Sequence, residues 1–180
     1  MADVLFYSEE DDLLHELAGL ATSVAAQAGG RSCAVVLGED MAATASSLAS
    51  EGVSEVYLFK APAAVRAHPE AATQAMAEAS AKHDSAFLLV GSTKEGKVVA
   101  GRLAATLGAP AASDCATIQL IGGDLVVERP SYGGRVTTKV ALSVCRSLRQ
   151  SPGLPQGYAL RHGGQSERDS LRAGADDIPD

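Results

Sequence analysis

A glycine-rich turn between a predicted strand and a predicted helix is the part of this 180-residue chain best suited to chemistry. Residues 86–110 read AFLLVGSTKEGKVVAGRLAATLGAP, which predicts a buried strand (Ala86–Val90), a small-residue turn (Gly91–Gly96) and a helix (Lys97–Leu107) that ends at Gly108. Backbone N–H groups and the positive end of the helix dipole meet at such a turn, where α/β proteins often bind a phosphate or another anion. The candidate anion-binding residues are Gly91, Ser92, Thr93, Gly96 and Lys97.

The spacing of this turn is close to that of a nucleotide-binding P-loop but lacks one of its ligands. Gly91, Gly96 and Lys97 fit the pattern G-x-x-x-x-G-K. The next residue is Val98, so the hydroxyl group that would bind Mg²⁺ is missing, and the turn follows the fourth predicted strand rather than the first. An NTP-hydrolysing enzyme is therefore disfavoured. Two interpretations stay open: an anion or nucleotide-phosphate pocket, and a tight turn that caps the helix.

A second candidate segment, RPSYGGR, lies between two predicted strands further along the chain and spans Arg129–Arg135. Its proline and its two adjacent glycines permit a bulge or a sharp turn. Tyr132 offers a ring for stacking and Arg129 offers a positive charge, so both are candidate ligand-binding residues. A binding loop and a purely structural hairpin connection are both consistent with this pattern.

Cysteines and histidines are scattered along the sequence, which argues against a metal site and against Cys–His catalysis. Each cysteine lies in an apolar, strand-like segment, which predicts a buried thiol, and the histidines are predicted to be exposed. We therefore predict no catalytic residue, no metal ligand and no enzymatic activity of the chain's own. The residues concerned are Cys33, Cys115, Cys145, His15, His68, His83 and His162.

The order of the apolar segments predicts an α/β fold. Strands alternate with amphipathic helices from residue 3 to residue 108, which is typical of a parallel sheet with helices on both faces. From Ala111 the pattern changes to short strands joined by glycine-rich turns, which predicts an added antiparallel β-hairpin region. The predicted strands are Asp3–Ser8, Ser32–Leu37, Val53–Phe59, Ala86–Val90, Ser113–Leu120, Leu125–Glu128 and Arg135–Val144.

The length and composition indicate one domain followed by an arm. Residues 1–148 contain all the periodic apolar segments, whereas residues 149–180 are rich in proline, glycine and charge, which predicts an extended or disordered C-terminal arm. The formal net charge of −7 argues against nucleic-acid binding, which needs a basic surface. No segment approaches the roughly 18 apolar residues of a membrane helix, and the N-terminus lacks a leader pattern, so we expect a cytoplasmic protein.

Three segments, taken together and in order, resemble the N-terminal domain of the electron transfer flavoprotein α subunit. They read VLFYSE, VGSTKEGKVVAGRLAATLGAPAASD and LVVERPSYGGRVTTKV. That domain typically has a strand ending in glycine, a threonine-containing turn, Gly-Arg/Lys, and an Ala/Leu helix closing on Leu-Gly, followed by an Arg-Pro-aromatic-Gly-Gly segment. The resemblance covers residues 3 to 148. The matching residues are Gly91, Thr93, Gly96, Lys97, Leu107, Gly108, Arg129, Pro130, Tyr132, Gly133 and Gly134.

The resemblance implies a three-layer, Rossmann-like parallel sheet of the adenine-nucleotide-hydrolase and universal-stress-protein type. It also implies a role in passing electrons between flavoenzymes, with FAD as the family's cofactor. In that family most of the FAD site lies in a second, C-terminal domain of the α subunit, and we expect no room for it after Leu148. The family's AMP site belongs to the β subunit, so AMP cannot simply be carried over to this chain either.

Two functional hypotheses follow from the sequence. In the first, the chain is a non-catalytic component of flavin-dependent electron transfer that forms a homodimer through its extra hairpin or binds a flavoprotein subunit. In the second, it is a small adenine-nucleotide-binding module similar to universal stress proteins, which binds AMP or a related nucleotide with its phosphates at Gly91–Lys97.

Overall fold

The computed structural model describes residues 3–62, 68–83, 85, 87–109, 111–113, 115–142 and 157–160, with only the backbone described at 142 and 157–160. The strands are β1 (Val4–Tyr7), β2 (Ser32–Gly38), β3 (Glu55–Lys60), β4 (Phe87–Gly91), β5 (Thr117–Ile121), β6 (Asp124–Ser131), β7 (Val136–Leu142) and β8 (Gly157–Leu160). The helices are α1 (Asp11–Ala28), α2 (Ala42–Ser50), α3 (Pro69–His83) and α4 (Lys94–Leu107).

The first four strands form a parallel sheet, as the alternating pattern predicts. The order is β3-β2-β1-β4, and β8 pairs with the outer edge of β4 in the antiparallel direction. β1 lies at the centre, where Val4 is opposite both Ser32 of β2 and Phe87 of β4. All residues of β1 and β4 are buried, which explains why both strands are continuous apolar runs.

Helices cover both faces of this sheet because successive side chains of each strand point to opposite sides. Val4 and Phe6 share a core with the apolar face of α1, whereas Leu5 and Tyr7 share a second core with α3 and α4. The predicted three-layer α/β architecture is therefore confirmed.

The later strands form the predicted antiparallel region as a separate three-stranded sheet in the order β5-β6-β7. The inward side chains Ile118, Leu125 and Val127 join the same core as α1, and β5 lies against that helix. β7 is different, since all its residues from Val136 to Lys139 are exposed. The hairpin of β6 and β7 therefore extends beyond the core at its turn end.

The predicted arm at 149–180 lies mostly outside the described residues. Within it, Gly157–Leu160 forms β8, a strand that the prediction did not include. The position of a domain boundary near Leu148 remains a prediction. Within the described part of the chain, no helix is both long and apolar enough to cross a membrane.

Candidate functional site

The predicted anion-binding turn is shorter than the sequence pattern suggests. β4 ends at Gly91 and α4 begins at Lys94 rather than at Lys97. Thr93 is the N-cap residue, and its Oγ1 accepts a hydrogen bond of 2.8 Å from the backbone N–H of Gly96. Gly96 and Lys97 therefore lie in the first turn of the helix, and only Ser92 and Thr93 connect strand to helix.

The two glycines of this turn allow three elements to approach closely. A Cβ atom on Gly96 would overlap the carbonyl oxygen of Gly91. A Cβ atom on Gly91 would lie 2.6 Å from Oγ of Ser8 and 2.9 Å from the Leu13 side chain, beyond the end of β1. Neither position has room for a side chain, so these glycines have a packing role whether or not a ligand binds nearby.

A carboxylate of the protein itself lies at the start of α4. Oγ1 of Thr93 contacts Oε1 of Glu9, which lies in the connection between β1 and α1. A negative charge at this position is stabilised by the positive end of the helix dipole. An anionic ligand at the Gly91–Lys97 turn would have to share this site with Glu9 or displace it.

The second predicted segment is the end of β6 and the turn of a hairpin: residues 129–131 lie in β6, and residues 132–135 form the turn before β7. Arg129 lies in β6 opposite Thr138 of β7, and Pro130 follows in the same strand. β5 pairs with β6 only as far as Glu128, so the missing N–H of Pro130 costs no hydrogen bond to β5.

The turn of this hairpin is unusual because three consecutive residues have left-handed backbone angles. Their φ angles are 52° at Tyr132, 68° at Gly133 and 85° at Gly134. Glycine adopts this conformation without strain, and a tyrosine rarely does. The Tyr132 side chain is 84% exposed, and Nε of Arg129 is buried without a hydrogen-bond partner among the described residues. The turn thus presents an aromatic ring to solvent.

The structure does not bring the two predicted segments together into one site. Gly91–Lys97 lies at the carboxyl edge of the parallel sheet, whereas Arg129 and Tyr132 belong to the separate small sheet. No hydrogen bond or ion pair within the described residues joins the two segments.

A cavity that the sequence did not predict opens at the carboxyl ends of β2 and β3. Its volume is about 290 Å³, and open α/β sheets bind ligands at this edge. Three carboxylates line it and would repel a phosphate group. The described lining residues are Asp11, Val36, Leu37, Gly38, Glu39, Asp40, Met41, Thr44 and Ala61.

A polar network that the sequence also did not predict lies at the opposite, amino edge of the parallel sheet. Arg31 binds the carboxylate of Asp3 through its backbone N–H (2.9 Å), Nε (3.2 Å) and Nη2 (2.7 Å). Arg31 Nη1 also pairs with Glu55 at the start of β3. The network connects the amino ends of three neighbouring strands.

The prediction of exposed histidines is wrong for His83, which belongs to this network. The His83 side chain is only 8% exposed, and its Nδ1 lies 3.3 Å from Nη2 of Arg31. The ring of Tyr57 packs edge-on against it, with centroids 4.8 Å apart. His68 is exposed as predicted. Nδ1 of His15 in α1 lies 2.7 Å from Oε1 of Glu51, the residue that follows α2, so this contact connects the two helices. His162 lies outside the described residues.

The cysteine prediction is confirmed where the structure can test it. Cys33 and Cys115 are buried, and Cys145 lies outside the described residues. Burial, together with the nearby negative charges of Asp3 and Glu55, raises the pKa of the Cys33 thiol to about 12. The thiol is therefore protonated at neutral pH, which makes it a poor nucleophile.

Comparison with known proteins gives one family and a set of relatives. Residues 11–145 match the family model described as "Electron transfer flavoprotein domain". The lactate dehydrogenase (NAD(+),ferredoxin) subunit LctC of Acetobacterium woodii is 28% identical over 126 residues, which cover 69% of this chain and 30% of the relative. Protein FixB of Azorhizobium caulinodans is 30% identical over 138 residues, which cover 72% of this chain and 37% of the relative.

A second FixB protein, from Clostridium saccharobutylicum, is 28% identical over 128 residues, which cover 70% of this chain and 38% of the relative. The matched part of the chain therefore spans between 30% and 38% of the length of these curated relatives.

The close packing at the turn predicts opposite effects for two glycines of the same helix. Gly96→Ala should lower the free energy of unfolding by about 1–3 kcal/mol, because its Cβ has to push backbone atoms apart. Gly101 has no atom near its Cβ position and is exposed, so Gly101→Ala should raise the free energy of unfolding by about 0.5–1 kcal/mol. Urea unfolding followed by circular dichroism measures both, and a neutral Gly96→Ala would contradict the packing role.

The amino-edge network predicts a dependence of stability on pH through Asp3. Burial alone would raise the pKa of this carboxyl, but the hydrogen bonds from Arg31 outweigh it and hold the pKa below its usual range. Such a group stabilises the fold above its unfolded pKa of about 3.9, and the contribution is lost as pH falls through the folded pKa. Asp3→Asn should therefore lower the free energy of unfolding by less at about pH 3 than at neutral pH.

The matched control for this measurement is Asp40→Asn, which removes an exposed carboxylate outside the network. It should change the unfolding free energy little at either pH. If Asp3→Asn cost the same stability at both pH values, the charge of Asp3 would not be what stabilises the network.

Proposed function

Because the chain belongs to the electron transfer flavoprotein family, we propose that it is a non-catalytic component of flavin-dependent electron transfer that acts through a partner subunit. The resemblance found in the sequence motifs is confirmed at the level of the family. One relative is named as a subunit of a lactate dehydrogenase that uses NAD⁺ and ferredoxin, which supports a role inside an assembly. FAD remains the cofactor that the family suggests, carried in this proposal by the partner.

The observation that carries this proposal is the exposed hairpin of β6 and β7. Val136 is 49% exposed and Tyr132 is 84% exposed. Among the described residues no strand pairs with the outer edge of β7. A free strand edge with apolar and aromatic side chains is a common place for a second chain to bind.

The charge of the hairpin favours a partner with an acidic face. Arg129, Arg135 and Lys139 outnumber the two carboxylates of the hairpin, Asp124 and Glu128, although the chain as a whole has a net charge of −7. Only Lys139 has an ion-pair partner in the described part of the hairpin, Glu128 at 2.5 Å. In a homodimer that paired the two hairpins, these positive charges would be brought close together, which costs free energy. A flavoprotein subunit is therefore the favoured partner, and a homodimer is the alternative.

We expect Val136→Glu to weaken the association with the partner by at least about tenfold, because it puts a charge into the apolar part of the interface. The measurement is sedimentation velocity of the purified chain, alone and with a recombinant electron transfer flavoprotein β subunit of the same organism and FAD. Leu58→Glu is the matched control, since Leu58 is also 49% exposed but lies on β3, in the other sheet.

The same purified samples distinguish the alternatives. A dimer formed by the chain alone and abolished by Val136→Glu supports the homodimer. Equal effects of Val136→Glu and Leu58→Glu would show that the hairpin is not the interface. An absorbance spectrum with stoichiometric bound flavin that is reduced and reoxidised without a partner would refute a non-catalytic component.

The alternative function, an adenine-nucleotide-binding module, is supported by the cavity at the carboxyl edge of the sheet. The positions of the charges weaken this support. Glu39 and Asp40 line the cavity, and Glu9 lies at the start of α4. Among the described residues, the cations near this edge include Lys60, which lines an adjoining cavity with Glu39, and the exposed Lys94 and Lys97 in the first turn of α4.

Isothermal titration calorimetry with AMP, ATP and FAD tests this second function. If a nucleotide binds at the turn, Lys97→Ala should weaken binding about fivefold or more, and Glu9→Gln should strengthen it, because a phosphate interacts with both charges. If it binds in the cavity, Lys60→Ala should weaken binding and Lys97→Ala should not. The absence of heat from all three nucleotides would exclude the module.

A further inference from the structure

Three side chains with different metal-binding atoms meet at the amino edge of the parallel sheet. Asp3 directly precedes β1, Cys33 lies in β2, and His83 is the last residue of α3. One ligand atom from each of them lies within 4.8 Å of the other two. Both the hairpin and the carboxyl-edge cavity are elsewhere, so this cluster has no part in the proposed electron-transfer role.

The donor atoms are those that Zn²⁺ prefers. A thiolate sulfur, an imidazole nitrogen and a carboxylate oxygen are the usual ligands of this ion. Ligand atoms around tetrahedral zinc lie about 3.3–3.8 Å apart, as the bond lengths require. His83 Nδ1 is already 3.7 Å from Oδ2 of Asp3. A contraction of about 1 Å would bring the set to coordination geometry.

The imidazole of His83 is oriented by its neighbours as metal-bound imidazoles usually are. Its Nδ1 faces the cluster, while its Nε2 lies 3.6 Å from Oε2 of Glu55 on the other side of the ring. A carboxylate that accepts a hydrogen bond from the far nitrogen of a histidine ligand fixes the ring and makes the coordinating nitrogen more basic. Glu55 would need to move a few tenths of an ångström toward Nε2 to accept such a bond. The edge-on contact with Tyr57 restrains the same ring.

In this structure the Arg31 guanidinium supplies the positive charge beside Asp3 and His83. Its Nη2 lies 2.7 Å from Oδ2 of Asp3 and 3.3 Å from Nδ1 of His83, so one cationic group contacts two of the three ligands. The Arg31 side chain is 43% exposed, whereas those of Asp3 and His83 are 7% and 8% exposed. It can therefore turn toward solvent and open a path to the buried ligands.

We propose that Asp3, Cys33 and His83 form a Zn²⁺ site, in which the metal ion and the Nη2 group of Arg31 compete for the same position. On binding, the Cys33 thiol releases its proton to solvent and bonds to the metal as the thiolate, and water completes the coordination. The dication and the displaced but nearby Arg31 then balance the negative charges of the thiolate, Asp3 and Glu55. Without the metal, Arg31 forms ion pairs with both carboxylates.

Cobalt(II) substitution gives a direct spectroscopic test of the sulfur ligand. The chain has three cysteines, so Cys33 is the only thiol left in the Cys115→Ala/Cys145→Ala variant. Titration of this variant with Co²⁺ should produce the thiolate-to-cobalt charge-transfer band in the near ultraviolet, at one ion per chain, and Zn²⁺ should abolish it. A further Cys33→Ser or His83→Gln substitution should remove the band while circular dichroism confirms the fold.

The competition with Arg31 makes a second and independent test. Arg31→Gln should tighten Zn²⁺ binding severalfold and should increase the rise in melting temperature that Zn²⁺ causes, because the metal then neutralises the buried Asp3. Arg102→Gln is the matched control, since Arg102 is similarly exposed (48%) and pairs with Glu70 in an ion pair far from the three ligands in sequence. It should leave Zn²⁺ binding unchanged.

Several results would overturn the proposal. The first is the absence of a charge-transfer band in the variant with Cys33 as its only thiol. The second is a band that persists in the His83→Gln variant. The third is weaker Zn²⁺ binding by Arg31→Gln than by the wild type. If Cys33→Ser does not fold, His83→Gln and Arg31→Gln decide the question, because neither changes a residue that packs inside the apolar core. A Zn²⁺ affinity equal in the wild type and in His83→Gln would show binding elsewhere on the chain.

Discussion

Burial of β1 on both of its faces is the constraint on which the rest of the structure depends. A strand without a solvent-exposed face must have partner strands on both edges and helices on both sides, since its backbone groups and its apolar side chains all need partners. β2 and β4 supply the edges, and α1, α3 and α4 supply the covering layers. The two ends of β1 are therefore the only places where this strand can present polar groups.

The two ends of the sheet have become chemically different for this reason. At the carboxyl edge, glycines at 91 and 96 let α4 pack close to the ends of β1 and β4, and Glu9 adds a negative charge at the start of that helix. At the amino edge, Asp3 is held by Arg31, and His83 closes the group from the end of α3. At the start of α4, close packing leaves little space for a phosphate. The amino edge instead brings nitrogen, oxygen and sulfur atoms together.

The sequence predicted the architecture well because that architecture depends on local periodicity. Apolar runs identified the four parallel strands β1 to β4 to within two residues at each end. The start of α4 was placed too late, since Thr93 was not recognised as its N-cap. The cluster around His83 was missed because its members are far apart in sequence. A usable signal existed: Asp3, Arg31 and Glu55 each flank the start of a neighbouring strand.

The same reasoning supports placing the proposed interaction surface on the β6–β7 hairpin rather than on the parallel sheet. A side chain is available to bind a partner only where it does not pack in the core. In the described part of the chain, the turn end of the β6–β7 hairpin consists of such side chains. Its strands are held by backbone pairing from Leu125 to Ser131, while the turn beyond them contributes almost nothing to the core. The strained backbone of Tyr132 supports this view. A left-handed tyrosine costs free energy of order 1–3 kcal/mol and stabilises no core contact here, so its ring is better explained by a partner than by folding.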